Sequence, residues 1–199
     1  MTFIDALEKI APLSAACQRE LRAVVKQEDI RKKRNLVVPG QISDKLYYVE
    51  TGLVRIFYDT DTDTDTDTEV SREVTSWFGR EGGLVLSAES FLLQQPSLET
   101  VEVVEVCQLW SIKHADLELM LAKCPELNFH FRIIYQNHLI AEKKRTRLLD
   151  LKSPRERYAL FLKLFPGLAH RLQVNHIAQF LNISSGALTR ARNELKNKH

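Results

Sequence analysis

The sequence is poor in the residues and runs that mark several classes of protein. It has 199 residues but only three cysteines, Cys17, Cys107 and Cys124, and these form no CxxC pair. A disulfide framework or a zinc site is therefore not indicated, and buried thiols acting as small apolar side chains are the simpler interpretation. No apolar run is long enough to cross a bilayer, so no membrane partner is expected. The first residues carry acids and no basic segment followed by an apolar one, so we expect no secretory signal and a cytoplasmic protein.

Motifs of the common enzyme classes are missing as well. The chain contains no Walker loop, no GxSxG nucleophile and no HExxH zinc motif. Its acidic residues are not paired with a recognisable nucleophile or base. The sequence therefore predicts that the protein is not an enzyme, with no catalytic residue, no cofactor and no metal site.

The most informative segment that is present is the C-terminal quarter, which has the pattern of two short helices joined by a tight turn. Ile177 and Leu181 lie one helical turn apart and are predicted to point inward, beside a small Ala178. Asn182 falls in the turn, where φ is usually positive and where asparagine is the best tolerated residue after glycine. Ser184 is predicted to cap the second helix. This arrangement is typical of a helix–turn–helix.

The second of these helices would present a polar face to solvent. Leu188, Ala191 and Leu195 recur at spacings of three and four and would bury its other side. A recognition helix meets base edges with its N-terminal outward residues and phosphates with flanking polar or basic groups. The predicted DNA-binding residues are Ser184, Ser185, Gly186, Thr189, Arg190, Arg192 and Asn193. An ordinary helical hairpin with a serine cap is the alternative.

Charge is divided unevenly along the chain. Residues 151–199 hold nine basic and two acidic side chains, a balance of +7, whereas the whole chain is +2 and residues 1–150 are therefore −5. A basic end on an acidic body is the electrostatic footprint of a nucleic-acid-binding module. The charge favours double-stranded DNA as the partner.

The middle of the chain has the shorter period of β-strands. From about Leu36 to Ile112, short runs rich in β-branched and aromatic residues are separated by glycines. These runs predict a compact antiparallel β domain, preceded by amphipathic helices over residues 3–28. An aspartate–threonine repeat at residues 59–68 is predicted to be a solvated, mobile hairpin tip. Weak calcium binding by its carboxylates is the alternative.

A long helix is predicted from Pro125 to Leu149. Its inward-facing residues step by four and three in a heptad-like seam, which packs either on its own domain or on a second copy as a parallel coiled coil. The predicted dimer residues are Leu127, Phe131, Ile134, His138 and Ala141, and the seam continues through Arg145 and Leu148. Ser153 and Pro154 are expected to end this helix and begin the next, with a hinge near residues 150–153.

In this order, the segments resemble the cyclic-AMP receptor protein/fumarate–nitrate regulator (Crp/Fnr) superfamily of bacterial transcription factors, in the Bacteroidetes-type branch. The matching stretches are YYVETGLVR at 47–55, ESFLLQQP at 89–96 and HIAQFLNIS at 176–184. The resemblance implies an α+β chain with an N-terminal antiparallel jelly roll, a long dimerisation helix and a C-terminal winged helix–turn–helix. The implied domains are a cyclic-nucleotide-binding-like effector domain over 1–124, the dimerisation helix over 125–150 and the DNA-binding domain over 151–199. It also admits RNA polymerase and an unidentified small-molecule effector as partners.

The chain departs from the resemblance where cyclic nucleotides bind. Members that bind them hold the phosphate with a Gly-Glu-Leu segment followed by Arg-Ser/Thr-Ala. The corresponding effector-pocket positions here are Leu86, Ser87, Ala88, Ser97, Leu98 and Glu99. They lack the arginine and add a carboxylate, and a buried phosphate facing a carboxylate without a cation is strongly disfavoured. Cyclic AMP is therefore not the expected effector, which leaves another small molecule, a protein signal or a vestigial pocket. Iron–sulfur sensing is unsupported, because only Cys17 lies near the N-terminus.

These observations together predict a dimeric bacterial DNA-binding transcription regulator that is not controlled by cyclic AMP. Arg190 matches the base-contacting arginine of the resembled family and is predicted to read guanine. Gly186 stands where members commonly carry an acidic residue. Its presence removes an acceptor for cytosine and lowers helix propensity by about 1 kcal/mol. The alternative is an effector-sensing module that acts mainly through protein partners and has a weakened DNA-reading head.

Overall fold

The computed structural model describes residues 1–60 and 72–196. Positions 61–68 of the aspartate–threonine repeat lie outside the described residues, so the predicted hairpin tip and its calcium alternative stay predictions. Within the described ranges, no helix combines the length and the apolar character that crossing a bilayer requires.

Packing contacts divide the chain into two units. The first unit comprises residues 1–58 and 76–135, and the second comprises residues 59–75 and 136–199. The chain passes from one unit to the other between residues 135 and 136. The three-part division drawn from the sequence stays a prediction.

The first unit is built on two facing β-sheets. The described strands are β1 (Lys26–Ile30), β2 (Asn35–Val37), β3 (Lys45–Thr51), β4 (Leu53–Thr60), β5 (Arg72–Arg80), β6 (Leu84–Val85), β7 (Thr100–Val103) and β8 (Cys107–Lys113). They form two four-stranded sheets with the orders β1-β8-β3-β6 and β2-β7-β4-β5. Neighbours such as β1 with β8 and β4 with β7 run antiparallel. A chain that alternates in this way between two sheets is a double-sheet jelly roll, as predicted.

Two helices precede the strands, α1 (Phe3–Glu8) and α2 (Ala15–Val24), and the hydroxyls of Thr2 and Ser14 cap them. The prediction of helical structure as far as residue 28 is wrong at its end, because β1 begins at Lys26. All five residues of β1 pair with β8. That pairing satisfies the backbone hydrogen bonds that another helical turn would otherwise have supplied.

The core of the first unit follows from the alternation of side chains along its strands. On β3, Leu46 and Tyr48 are buried against the helices, in a cluster that includes Phe3, Phe91 and Leu127. Tyr47 and Val49 alternate with them along the strand. They are buried on its opposite face, among the valines of β4, β6 and β7. Successive side chains of a strand point to opposite faces, so this one strand contributes to both halves of the core.

A glycine makes the turn between β3 and β4 possible. Gly52 is the single residue between these strands, and its φ is +104°. A Cβ placed on it would lie 2.5 Å from Sγ of Cys107 and 2.6 Å from the carbonyl oxygen of Val106. Only a residue without a side chain fits this approach of two backbones.

The remaining helices lie after β6. They are α3 (Ala88–Leu93), α4 (His114–Lys123), α5 (Glu126–Asp150), α6 (Pro154–Leu164), α7 (Leu168–Arg171), α8 (Val174–Phe180) and α9 (Ser185–Lys196). The long helix predicted from Pro125 to Leu149 is thus confirmed as α5. Ser153 and Pro154 begin α6, as predicted, and the three residues before Pro154 form the break after α5.

The predicted wing has no counterpart among residues 114–196, which contain no strand. The segment between α6 and α8 contains the short helix α7. Leu168 and Leu172 lie one helical turn apart there and are both buried. Their burial favours a helical turn, because i and i+4 side chains share one face of a helix.

Candidate nucleic-acid interface and effector region

Helices α8 and α9 form the predicted helix–turn–helix. Ile177, Ala178 and Leu181 are buried, with exposed fractions of 2% or less. Asn182 has φ +51°, as the turn required. The N–H of Ile183 donates to the carbonyl oxygen of Ala178 at 3.0 Å, which closes the turn on the end of α8.

The second helix is capped and buried on the predicted side. The hydroxyl of Ser184 accepts the N–H of Ala187 at 3.2 Å, so Ser184 is an N-cap. Leu188 and Ala191 are buried, and Leu195 is half-buried. The face away from them is solvent-exposed and comprises Ser185, Gly186, Thr189, Arg190 and Asn193. The exposure of this face is as predicted, while contact of these residues with DNA stays a prediction.

Two hydroxyls of the exposed face already donate hydrogen bonds inside the protein. Ser185 donates to Oδ1 of Asn175 at 2.8 Å, and Thr189 donates to the carbonyl oxygen of Ser185 at 2.9 Å. The Ser185 bond joins the first turn of α8 to the first turn of α9. Sequence reasoning missed Asn175, whose signal is weak because a polar residue on an exposed helix turn is common.

Arg192 and Arg157 have structural contacts that the sequence did not indicate. The Arg192 guanidinium lies 5.4 Å from the centre of the Tyr158 ring and packs α9 against α6. Arg157 donates to the carbonyl oxygens of Leu181 and Asn182 at 3.0 and 3.2 Å. Arg157 therefore holds the turn of the helix–turn–helix, and Arg192 is half-buried instead of fully presented to solvent.

Basic side chains of the C-terminal segment remain at the surface after these contacts. Those exposed in the described residues are Lys152, Lys163, Arg190 and Lys196, and those half-buried are Arg155, Arg157, Arg171 and Arg192. Of these, Arg190 lies in the middle of the exposed face of α9. The aromatic side chains of Phe161, Phe165 and Phe180 form the core beneath, with ring centres 5.4 to 5.8 Å apart.

Three of the six predicted effector-pocket residues, Ser87, Ser97 and Glu99, are connected by hydrogen bonds in the first unit. The Ser87 hydroxyl donates to Oε2 of Glu99 at 3.0 Å, and the Ser76 hydroxyl lies 3.0 Å from Oε1. The hydroxyls of Ser97 and Ser87 are 2.9 Å apart, and Ser97 accepts the N–H of Glu99. We call Ser76, Ser87, Ser97 and Glu99 the Glu99 cluster. Sequence reasoning missed Ser76, which lies on β5, remote in sequence from the other three.

The other predicted pocket residues do not join this cluster. Leu98 is 77% exposed, Ala88 is exposed and Leu86 is half-buried against the core. Among the described residues, no lysine, arginine or histidine side chain is bonded to the Glu99 carboxylate. A carboxylate at this position would repel a phosphate.

The dimer residues predicted on α5 fall into two groups. Leu127 and Phe131 are buried in the core of the first unit, so the alternative that this part of the helix packs on its own domain holds for them. Ile134 and Ala141 are half-buried, and His138 is exposed. Farther along the seam, Arg145 donates to the carbonyl oxygen of Thr75 at 3.0 Å within the second unit.

The apolar side chains that α5 exposes lie beside the predicted seam. Tyr135, Leu139 and Ile140 have exposed fractions of 41%, 61% and 53%. In the sequence, the spacing of four between Tyr135 and Leu139 indicates that they share a helix face. The heptad-like seam beside them is the stronger pattern, and the prediction followed that seam. Three large apolar residues exposed within two helical turns are a candidate surface for a partner.

Comparison with known proteins identifies the class of the β domain and of the whole fold. Residues 27–124 match the family model of the cyclic nucleotide-binding domain. No curated protein gives a significant sequence match.

The solved structures that resemble the chain include several regulators. The c-di-GMP-responsive global regulator CLP of Xanthomonas campestris superposes with a TM-score of 0.71 at 16% identity, covering 93% of either chain. FixK2 of Bradyrhizobium japonicum gives 0.71 at 18% identity, covering 88% of this chain and 86% of its own. A protein of Eubacterium rectale assigned to the Crp/Fnr regulators gives 0.70 at 16%, covering 94% of this chain and 85% of its own. Residues 27–124 are thus similar to cyclic nucleotide-binding domains, and the chain has the fold of these solved structures, which include a Crp/Fnr regulator.

Proposed function

We propose that this protein is a dimeric DNA-binding transcription regulator whose β domain does not respond to cyclic AMP. The observation that carries the proposal is the exposed polar face of α9, which has Arg190 at its centre and a capped, well-packed helix beneath it. Such a face suits insertion into the major groove of double-stranded DNA. RNA polymerase is a further partner that a regulator of this kind would contact.

The distribution of charge along the chain supports the same function. The C-terminal segment is strongly basic and the rest of the chain is acidic. Positive charge near α9 would release counterions from DNA phosphates on binding, which makes the affinity salt-dependent. The Glu99 cluster supports the second part of the proposal, because its carboxylate would repel the phosphate of a cyclic nucleotide.

The first experiment measures binding of the protein to DNA from upstream of its own gene. We expect tight binding at low salt that weakens by orders of magnitude as salt rises, and no change when cyclic AMP is added. Enrichment of specific DNA sites in a genome-wide pull-down would support the regulator. Absence of salt-sensitive binding and of enriched sites would contradict it and favour a module acting through protein partners.

Arg190 provides the sharper prediction. Replacing Arg190 with alanine should weaken binding to the preferred site by about 1–3 kcal/mol, because one bidentate contact to a guanine is lost. Binding to unrelated DNA should change less, so the preference between sequences should narrow. A fluorescence anisotropy titration with both DNAs measures this difference.

Arg22→Ala is the matched control for Arg190→Ala. Arg22 is an exposed arginine on α2, so its replacement changes the net charge equally. We expect the Arg22 variant to keep the wild-type preference between sequences. Equal losses for the two variants would mean that Arg190 contributes only overall charge.

A further inference from the structure

Glu99 is bonded by hydroxyls from segments that lie far apart in the sequence. Its two carboxylate oxygens are each 3.0 Å from a serine hydroxyl, that of Ser76 on β5 and that of Ser87 in the turn between β6 and α3. Ser76 also lies 3.2 Å from the carbonyl oxygen of Ile56 on β4. Ser97 connects Ser87 to the backbone of Glu99. The Glu99 carboxylate therefore connects β5 with the β6–α3 turn, and Ser76 and Ser97 extend this connection to β4 and to the segment before β7.

The position of Ser87 shows that its hydroxyl is committed to this cluster. Ser87 is the N-cap residue of α3, where a serine hydroxyl usually accepts a backbone N–H of the helix. No such bond forms here, and the hydroxyl donates to Glu99 instead. Ser87 and Ser97 are nearly fully buried, with exposed fractions of 1% and 2%. Without the carboxylate, Ser87 would lose its acceptor in a place that water hardly reaches, and such a loss is destabilising.

Hydroxyl donors that converge on a negative charge form the geometry of an anion-binding site, and no cation of residues 1–60 or 72–196 is bonded to this one. Here the anion belongs to the chain itself. Hydrogen bonds to an ionised acceptor are stronger than those between neutral groups. A ligand that binds only the folded state stabilises it according to its concentration, whereas a covalently attached group is present at all times.

We propose that the Glu99 carboxylate is a built-in anion that occupies the effector region, so that the β domain keeps its arrangement without an anionic ligand. The consequence for regulation, that DNA binding needs no added effector, rests on the proposed function. The consequence for the stability of the β domain is tested without DNA.

The test is chemical rescue of a variant that lacks the carboxylate. Glu99→Ala should lower the Tm by about 5 °C or more, because the serine hydroxyls lose a charged acceptor. Sodium acetate should then restore part of this loss, while sodium chloride at the same ionic strength should not. Glu99→Gln fills the space that acetate would occupy and should show no acetate-specific recovery.

Glu89→Ala is the matched control, since Glu89 is an exposed glutamate on neighbouring α3. Its Tm should stay within about 1 °C of wild type, as is usual for an exposed position, and should not respond to acetate. The proposal is overturned if both alanine variants melt alike, or if acetate raises the Tm of both equally.

A second pair of variants covers the case in which Glu99→Ala does not fold. Ser87→Ala should lower the Tm of the wild-type chain more than it lowers the Tm of Glu99→Gln, because the charged acceptor is present only in the former. Equal shifts in both backgrounds would overturn the built-in anion. None of these measurements uses DNA, so a failure of DNA binding in the wild type would contradict the proposed function alone.

Discussion

At the scale of single residues, Gly52 and Gly82 have similar backbone angles but different space around the Cα atom. Both have positive φ, +104° and +82°. A Cβ on Gly52 would overlap Cys107 and the backbone of Val106, whereas a Cβ on Gly82 would meet nothing within 4 Å. Alanine in place of either glycine would strain the backbone, whereas only alanine in place of Gly52 would also overlap its neighbours.

We therefore expect Gly52→Ala to lower the free energy of unfolding by about 3 kcal/mol, since it adds overlap in a packed core to backbone strain. Gly82→Ala, the control, should cost about 1 kcal/mol from strain alone. Urea denaturation followed by tryptophan fluorescence measures both. Similar losses for the two variants would show that the approach of Gly52 to Cys107 relaxes readily.

At the scale of elements, α5 changes its surroundings along its length. One face of its first turns is buried, with Leu127 and Phe131 in the core of the first unit. His130 is almost fully buried there, and its ring nitrogens lie 2.9 Å from the carbonyl oxygens of Glu126 and Ala11. After Tyr135 the helix exposes Leu139 and Ile140, which is unfavourable unless another surface covers them.

We expect the wild-type protein to be a dimer and Leu139→Glu to make it a monomer that is still folded, because a charge would be buried in a helix–helix contact. Leu119→Glu makes the same change at an exposed leucine of α4 and should leave the dimer intact. Sedimentation equilibrium distinguishes the two states. A Leu139→Glu protein that is still dimeric would place the interface elsewhere.

At the scale of the whole molecule, the shifted pKa values of two glutamates and one tyrosine make the folded state less stable at low and at high pH. The N-terminal amine and the indole N–H of Trp110 donate to Glu50 and lower its pKa. Hydrogen bonds from Ser14 likewise lower the pKa of Glu126. Burial raises the pKa of the Tyr47 hydroxyl.

Stability should therefore fall as the pH drops below about 4.3, the ordinary pKa of glutamate, because the folded state holds its carboxylates ionised more strongly than the unfolded state does. It should also fall as the pH rises above about 10, because the folded state holds Tyr47 neutral. Thermal melts by circular dichroism from pH 3 to 11 measure both limits. Trp110→Phe removes one donor to Glu50 and should reduce the acid sensitivity. A Tm that holds steady or rises below pH 4 would contradict these assignments.

Features governed by near neighbours in the chain were predictable. The positive φ of Asn182, the cap at Ser184 and the buried spacing of Ile177 and Leu181 all followed from the sequence. Each depends on residues within one or two helical turns, where geometry and side-chain chemistry leave few alternatives.

Features governed by distant partners were not predictable. The end of the second helix was misplaced because β1 pairs with β8, about eighty residues later in the chain. No strand corresponding to the predicted wing lies among residues 114–196. The packing of the Arg192 guanidinium on the Tyr158 ring of α6 was not indicated by the sequence, and its contact with DNA stays a prediction.

The sequence by itself determined a β domain, a long helix and a capped helix–turn–helix with a basic, outward-facing Arg190. Periodicity, capping and charge are properties of the chain before it folds. The tertiary structure decided which side chains those elements use on one another. It directed Ser87 toward Glu99 and not toward its own helix, and it buried Leu127 and Phe131 of α5 while leaving Leu139 and Ile140 exposed. The reason is that hydrogen bonds and burial depend on which groups meet in space, and groups from distant segments meet only once the chain has folded.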